Sequence, residues 1–163
     1  MKVFSINFLD KLTQEAELNP RLRQHWNIHN DYQEPCQRLL NAIEPSSYIR
    51  PHCHDSQQGA ETIIAIRGHM ALISFDNRGE IEKVQQFCSE KYAYESDALV
   101  GLEIPSGKWH TVISLVKGSV LLEVKAGPFN PNASKFPASW APEEGSEDAA
   151  AYLNSLFERV RIS

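Results

Sequence analysis

Three histidines and one glutamate carry the chemistry open to this sequence. Pro51-His52-Cys53-His54 is followed by Glu61 and Gly68, and is answered by Pro105-Ser106-Gly107-Lys108-Trp109-His110. In an extended chain successive side chains point to opposite faces, so His52 and His54 share one face and Cys53 takes the other. Glu61 opens the apolar run Thr62-Ile63-Ile64-Ala65-Ile66, which ends at Arg67-Gly68. His110 opens a second run, Thr111-Val112-Ile113-Ser114-Leu115. If the two runs face each other across a small barrel, three imidazoles and one carboxylate converge. Such a donor set suits a divalent transition metal such as iron, manganese, nickel, cobalt or zinc. A lone strand histidine is usually structural, and a His-x-His pair often arises by chance. The weight lies in the combination with an acid at a strand start, Gly68, and Pro-x-Gly-x-x-His at a second strand start.

A cluster of this kind needs strands to hold it, and the pattern supplies them. Residues 1–18 read as a short lead and a helix, with Ser5 or Asn7 as cap and Phe8, Leu9, Leu12 and Ala16 as its apolar stripe. Asn19-Pro20 stops it. From Arg21 to His29 polar and apolar residues alternate with period two, the mark of a half-buried strand. Arg21, Arg23, His25, Asn27 and His29 fall on one face. Guanidinium forks suit carboxylate or phosphate, although the same pattern fits a solvated outer face.

A strand is expected over 36–43, a turn over 44–46, and a second strand from Ser47. That strand puts Tyr48 and Arg50 in the parity of His52 and His54. A polar loop covers 55–60. Strands follow over 61–67, 69–75, 81–87, 98–104, 109–115 and 119–125, with Asp76-Asn77-Arg78-Gly79 and Lys117-Gly118 as turns. Glu123 and Lys125 oppose the parity of Val120, Leu122 and Val124. They line a pocket or form a surface ion pair, which is worth little. A final helix spans 146–160, with Ser146 as N-cap, Glu147 and Asp148 at its positive end, and Leu153, Leu156 and Val160 in its buried stripe. Many short strands between Gly, Pro and Asn turns mean a sandwich or barrel. Closure removes exposed edges and leaves a mouth for a ligand.

Composition bounds the reading. At 163 residues, with 42% hydrophobic and 23% charged residues, one soluble domain with a real core is expected. The formal net charge is −5 with no basic block, which argues against nucleic acid as partner. Cys36, Cys53 and Cys88 show neither disulfide nor zinc-finger spacing, so a reducing cytoplasm fits. No apolar run approaches the roughly 18 residues of a membrane span, and no signal peptide is visible. Serine-hydrolase elbows, phosphate loops and dinucleotide-binding glycine fingerprints are absent.

The paired segments resemble the two motifs of the cupin superfamily: His-x-His, then Glu, then Gly in the first, and Pro-x-Gly-x-x-His in the second. That resemblance implies an all-β, jelly-roll (double-stranded β-helix) barrel with flanking N- and C-terminal helices, and His52, His54, Glu61 and His110 as the ligands of one divalent metal. Six residues separate His54 from Glu61, more than the usual three or four. The first hairpin is therefore longer, and Glu61 is expected to be the weakest ligand.

A closer resemblance spans most of the chain. Arg21-Leu22-Arg23, Asn27-Ile28-His29, Glu44 to His52, Glu103-Ile104-Pro105, Trp109-His110-Thr111, Glu123 to Phe129 and Trp140-Ala141-Pro142-Glu143 are similar to the WbuC-type cupin metalloproteins. These are named for a gene of bacterial O-antigen clusters. Residues 1–35 would then pack on a barrel over 36–127, with 128–163 as a wrapping segment and helix. The small-molecule ligand is expected to be polar or anionic, a sugar or activated sugar by that context. Arg21, Arg23, His25, Asn27, His29 and Arg50 are candidate binding residues, and Tyr48, Glu123 and Lys125 candidate proton carriers. Two function classes fit: an isomerase, epimerase, lyase or dioxygenase, and a non-catalytic metal-dependent binding or sensing module. Cupin relatives commonly pair, so a homodimer is expected.

Overall fold

An apolar stripe on a short helix is stable only when a sheet covers it, and the alternating strands provide that cover. The computed structural model of the chain describes residues 1–54, 59–93, 96–130 and 135–162. Parts of three expected connections, 55–58, 94–95 and 131–134, lie outside the described residues, as does 163. Helix α1 (Ile6–Leu18) is capped by Ser5, whose Oγ accepts from the Phe8 backbone N–H at 3.2 Å, and it ends at Asn19. Its buried Leu9, Leu12 and Ala16 pack on Leu40, Ala42 and Val120. Burying each leucine contributes about 1.5–3 kcal/mol.

The strands are β1 (Arg23–Asn27), β2 (Cys36–Ile43), β3 (His52–Cys53), β4 (Glu61–Arg67), β5 (His69–Phe75), β6 (Ile81–Cys88), β7 (Gly101–Ile104), β8 (Trp109–Ser114), β9 (Ser119–Ala126) and β10 (Phe136–Pro137). They form two five-stranded antiparallel sheets, in the orders β1-β2-β9-β4-β7 and β10-β3-β8-β5-β6. The architecture is the expected mainly-β jelly roll with two flanking helices. Ile43, Ile63, Met70, Leu72, Phe87, Ile104, Val112 and Leu121 form one core cluster, drawn from both sheets. Helix α2 (Glu147–Arg161) lays Ala149, Leu153, Leu156 and Val160 on Ala71, Ile73, Phe75 and Ile113. Ser146 stands at its N-cap position without a side-chain cap bond, because its hydroxyl donates to Glu143 O at 2.8 Å instead.

Gly68, between β4 and β5, has a real conformational task. Its φ is +84°, and a Cβ there would stand 2.3 Å from Ser119 Oγ and 2.8 Å from Ser119 Cα. Only glycine combines that φ with so close an approach.

The strand expected from Ser47 does not form before His52. Pro45 and Pro51 offer no N–H to a ladder, so 47–51 run without strand pairing and side-chain parity is not maintained there.

Candidate metal centre

The two-residue strand β3 is held on both sides: Phe136 and Pro137 of β10 pair with Cys53 and His52, and His52 lies opposite His110 of β8. That register places two imidazoles side by side, with ring centroids 4.5 Å apart. The ring of His54 is 5.1 Å from that of His52 and 5.5 Å from that of His110. One donor atom from each of the three histidines falls within 4.8 Å of the others. His54 is tied to the second motif by its carbonyl, which accepts from the Gly107 N–H at 3.1 Å.

The hydrogen bonds assign the tautomers. His52 Nδ1 lies 3.0 Å from Arg50 O, and His110 Nδ1 lies 2.8 Å from Lys108 O. A carbonyl can only accept, so each Nδ1 carries the proton and each Nε2 is left as a lone pair. Burial drives the His52 pKa well below its usual value, with Lys135 and His110 adding to the effect. Burial also lowers that of His110, although Glu61 opposes it. Both rings are therefore neutral at neutral pH, the form a metal requires.

Glu61, at the start of β4, completes the cluster. Its Oε2 lies 2.7 Å from His54 Nε2 and 3.8 Å from His110 Nε2. The same oxygen is buried and lacks a well-aligned hydrogen-bond donor among the described residues. Burial alone would raise this carboxyl's pKa. His54 and then Lys125, the residue directly opposite in the β4–β9 register, outweigh it and hold it at about 2. An ionised carboxylate beside the neutral rings of His52 and His110, with a donor atom from each of the three histidines gathered at one place, fits a divalent cation.

The cluster lines a cavity of about 240 Å³. Ile43, Ile49, Ile63, Ile104, Val112 and Leu121 make its apolar walls. Glu123 and Lys125 also line it and pair at 2.7 Å, so their parity turns them inward rather than to the surface. Burial and the nearby Glu61 raise the Glu123 pKa despite Lys125. Burial opposes the charge on Lys125, but Glu123 and Glu61 prevail and raise its pKa.

The other expected residues divide. Arg23 lines the histidine cavity while its guanidinium binds Glu144 at 2.5 Å and Tyr48 O at 3.0 Å. His25, Asn27 and His29 line an adjoining cavity that shares Glu123 and Lys125. Arg21 is exposed and lines a separate cleft beside α2. Arg50 turns to the wrapping segment, donating from Nε to Ala138 O at 2.9 Å and pairing with Glu143 at 3.6 Å. Tyr48 lies under α2, its hydroxyl donating to Pro142 O at 2.9 Å and its pKa raised by burial. Neither Tyr48 nor Arg50 lines the histidine cavity.

Sequence reasoning missed Asn41, Phe129 and Lys135, which line both cavities. Asn41 was legible from the parity of β2; Phe129 and Lys135 belong to a segment with no periodicity. Lys135 is exposed, yet desolvation of its ammonium, opposed by Glu144 and reinforced by Arg23, lowers its pKa.

The solved structures similar to this chain agree with it in its jelly-roll fold. Oxalate decarboxylase from Bacillus subtilis aligns over 71% of this chain and 27% of its own, at 19% identity and a TM-score of 0.50. KdgF from Halomonas sp. aligns over 71% of this chain and 87% of its own, at 10% identity and a TM-score of 0.51. A protein from Shewanella oneidensis aligns over 85% of this chain and 84% of its own, at 10% identity and a TM-score of 0.56. The chain thus spans about a quarter of the oxalate decarboxylase chain. Residues 4–87 match the family described as Domain of unknown function (DUF6016), and the chain belongs to that family. No curated protein matches it. Among the described residues no helix is long and apolar enough to cross a membrane.

Proposed function

We propose that this chain is a WbuC-type cupin metalloprotein that holds one divalent transition metal on His52, His54, Glu61 and His110. The observation that carries the reading is the convergence of three histidine donors within 4.8 Å, two of them with Nδ1 bound to a carbonyl. A metal there would supply Lewis-acid polarisation of a ligand oxygen.

The chain's own residues would do the rest. The apolar walls limit water around a bound ligand. In this reading the Glu123–Lys125 pair, which faces the same cavity, accepts or returns a proton at Glu123 Oε or Lys125 Nζ. Tyr48 is not placed for that role. The ligand class is a small polar or anionic molecule, such as a sugar or activated sugar of bacterial surface-polysaccharide metabolism, within the cytoplasm.

Elemental analysis of the purified protein tests the metal. Wild type is expected to carry about one divalent metal per chain, the His52→Ala/His110→Ala double variant essentially none, and Glu61→Gln a metal held less tightly. Equal metal content in wild type and the double variant would overturn the assignment.

A further inference from the structure

Beside the histidine cavity lies a second one, of about 300 Å³, whose lining includes His25, Asn27, His29 and Tyr32. The two share Asn41, Glu123, Lys125, Phe129 and Lys135 as a common wall. Donors outnumber acceptors in this annex. Glu123 is the only carboxylate among its described lining residues, and Lys125 already engages it at 2.7 Å. Lys135, by contrast, makes no ion pair among the described residues.

His29 adds a directional donor. The Arg38 backbone N–H donates to His29 Nδ1 at 3.1 Å. Arg38 O, 2.8 Å from the same nitrogen, already accepts from the Ile28 and His29 backbone N–H groups at 2.8 and 3.3 Å. Nδ1 therefore holds the lone pair, and the ring proton is assigned to Nε2. His29 is only 4% exposed, and its Nε2 finds no partner among the described residues. A buried N–H without an acceptor is unfavourable, so this position favours an oxygen acceptor.

We propose that the annex is an oxyanion subsite, so that the ligand of this protein has two ends. One end meets the histidine cluster, and the other is a carboxylate or phosphate held by the Lys135 ammonium and the His29 Nε2–H. This rests on the metal reading above and adds to it the class of the ligand's far end. The aliphatic span between the two ends would run along the shared wall, past Phe129 and Asn41.

Calorimetry on the zinc-loaded full chain tests it. The probes are acetate, malonate, succinate and glutarate, with phosphonoacetate and 3-phosphonopropionate as the phosphate-like arm. Wild type is expected to bind the best two-ended anion about tenfold or more tighter than acetate, the gain typical of one charge-assisted hydrogen bond. Whichever series gains more identifies the far end as carboxylate or phosphate. His29→Asn keeps an acceptor for the Arg38 N–H but loses the Nε2–H, and Lys135→Met keeps the stem but loses the charge. Each is expected to lose about tenfold on two-ended anions relative to acetate, with zinc stoichiometry unchanged. If His29→Asn does not fold, the exposed Lys135 decides. Full zinc binding with no gain over acetate, or a gain that survives Lys135→Met, overturns the annex alone. A wild type that holds no zinc overturns the metal reading and this one with it.

Discussion

Replacing Lys125 by methionine removes one charge from the cavity and leaves two carboxylates, Glu61 and Glu123, facing each other without it. Lys125 Nζ and Glu123 Oε1 are 2.7 Å apart. At an effective dielectric of about 20 their gross attraction is about 6 kcal/mol. Most of that is offset by desolvation, but deleting one partner strands the other. The side chains keep 17% and 15% of their exposure, so water still reaches Glu123 and the net loss is set at about 2–4 kcal/mol. For a chain of this size a loss of about 3 kcal/mol lowers Tm by about 6–12 °C. Burial and Glu61 already raise the Glu123 pKa, and losing Lys125 raises it further. A carboxyl whose folded pKa lies above the unfolded value binds its proton more tightly when folded. The deficit is therefore complete above the folded pKa and shrinks as pH falls toward the unfolded value of about 4.3. Urea melts of wild type, Lys125→Met, Glu123→Gln and the double variant, at pH 8 and pH 5, read this out. The expected result is a large deficit for Lys125→Met at pH 8, a smaller one at pH 5, and recovery in the double variant. A deficit below about 0.5 kcal/mol, or one that Glu123→Gln leaves unrepaired, would refute the reasoning.

Two further outcomes are expected. Gly68→Ala should cost about 3 kcal/mol, because it adds a backbone clash to an unfavourable φ. Gly107→Ala, at φ +74° with open space around it, should cost about 1 kcal/mol; chemical denaturation giving equal losses for the two would contradict the Ser119 contact. The chain is expected to be a homodimer, since β1 and β7 are the edge strands of their sheet among the described residues and Ile64, Ile66, Leu99 and Val100 are exposed. Sedimentation at micromolar concentration showing monomer alone would count against this.

Much of this fold can be read from strands whose pattern is uninterrupted. The segments 36–43, 61–67 and 69–75 form as expected because apolar runs are bounded by Gly68 and by the Asp76–Gly79 turn. The histidine cluster is legible for a related reason: His52 opens β3, His54 follows that strand directly, and His110 is the second residue of β8. Parity counting fails where no ladder enforces it. Between Pro45 and Pro51 the chain is unpaired, so Tyr48 and Arg50 leave the face of His52. Register between distant strands is also invisible in one dimension, which hides the opposition of Glu61 and Lys125. Lys135 reaches the cavity from the position just before β10, a strand two residues long and too short to leave a period in the sequence.

That short strand has a consequence in time. The ribosome makes β3 about 80 residues before it makes β10, the neighbour that covers it on one side. At ~5–20 residues per second, that interval is about 4–16 s. His52 and His54 thus emerge early on a stretch with an open flank, and their other neighbour, β8, is itself some 55 residues away in sequence. A nascent chain passes through a stage in which these imidazoles are accessible to any cation in the surroundings. On the proposed metal reading, arrival order during synthesis would act beside affinity in deciding which cation the histidines first meet.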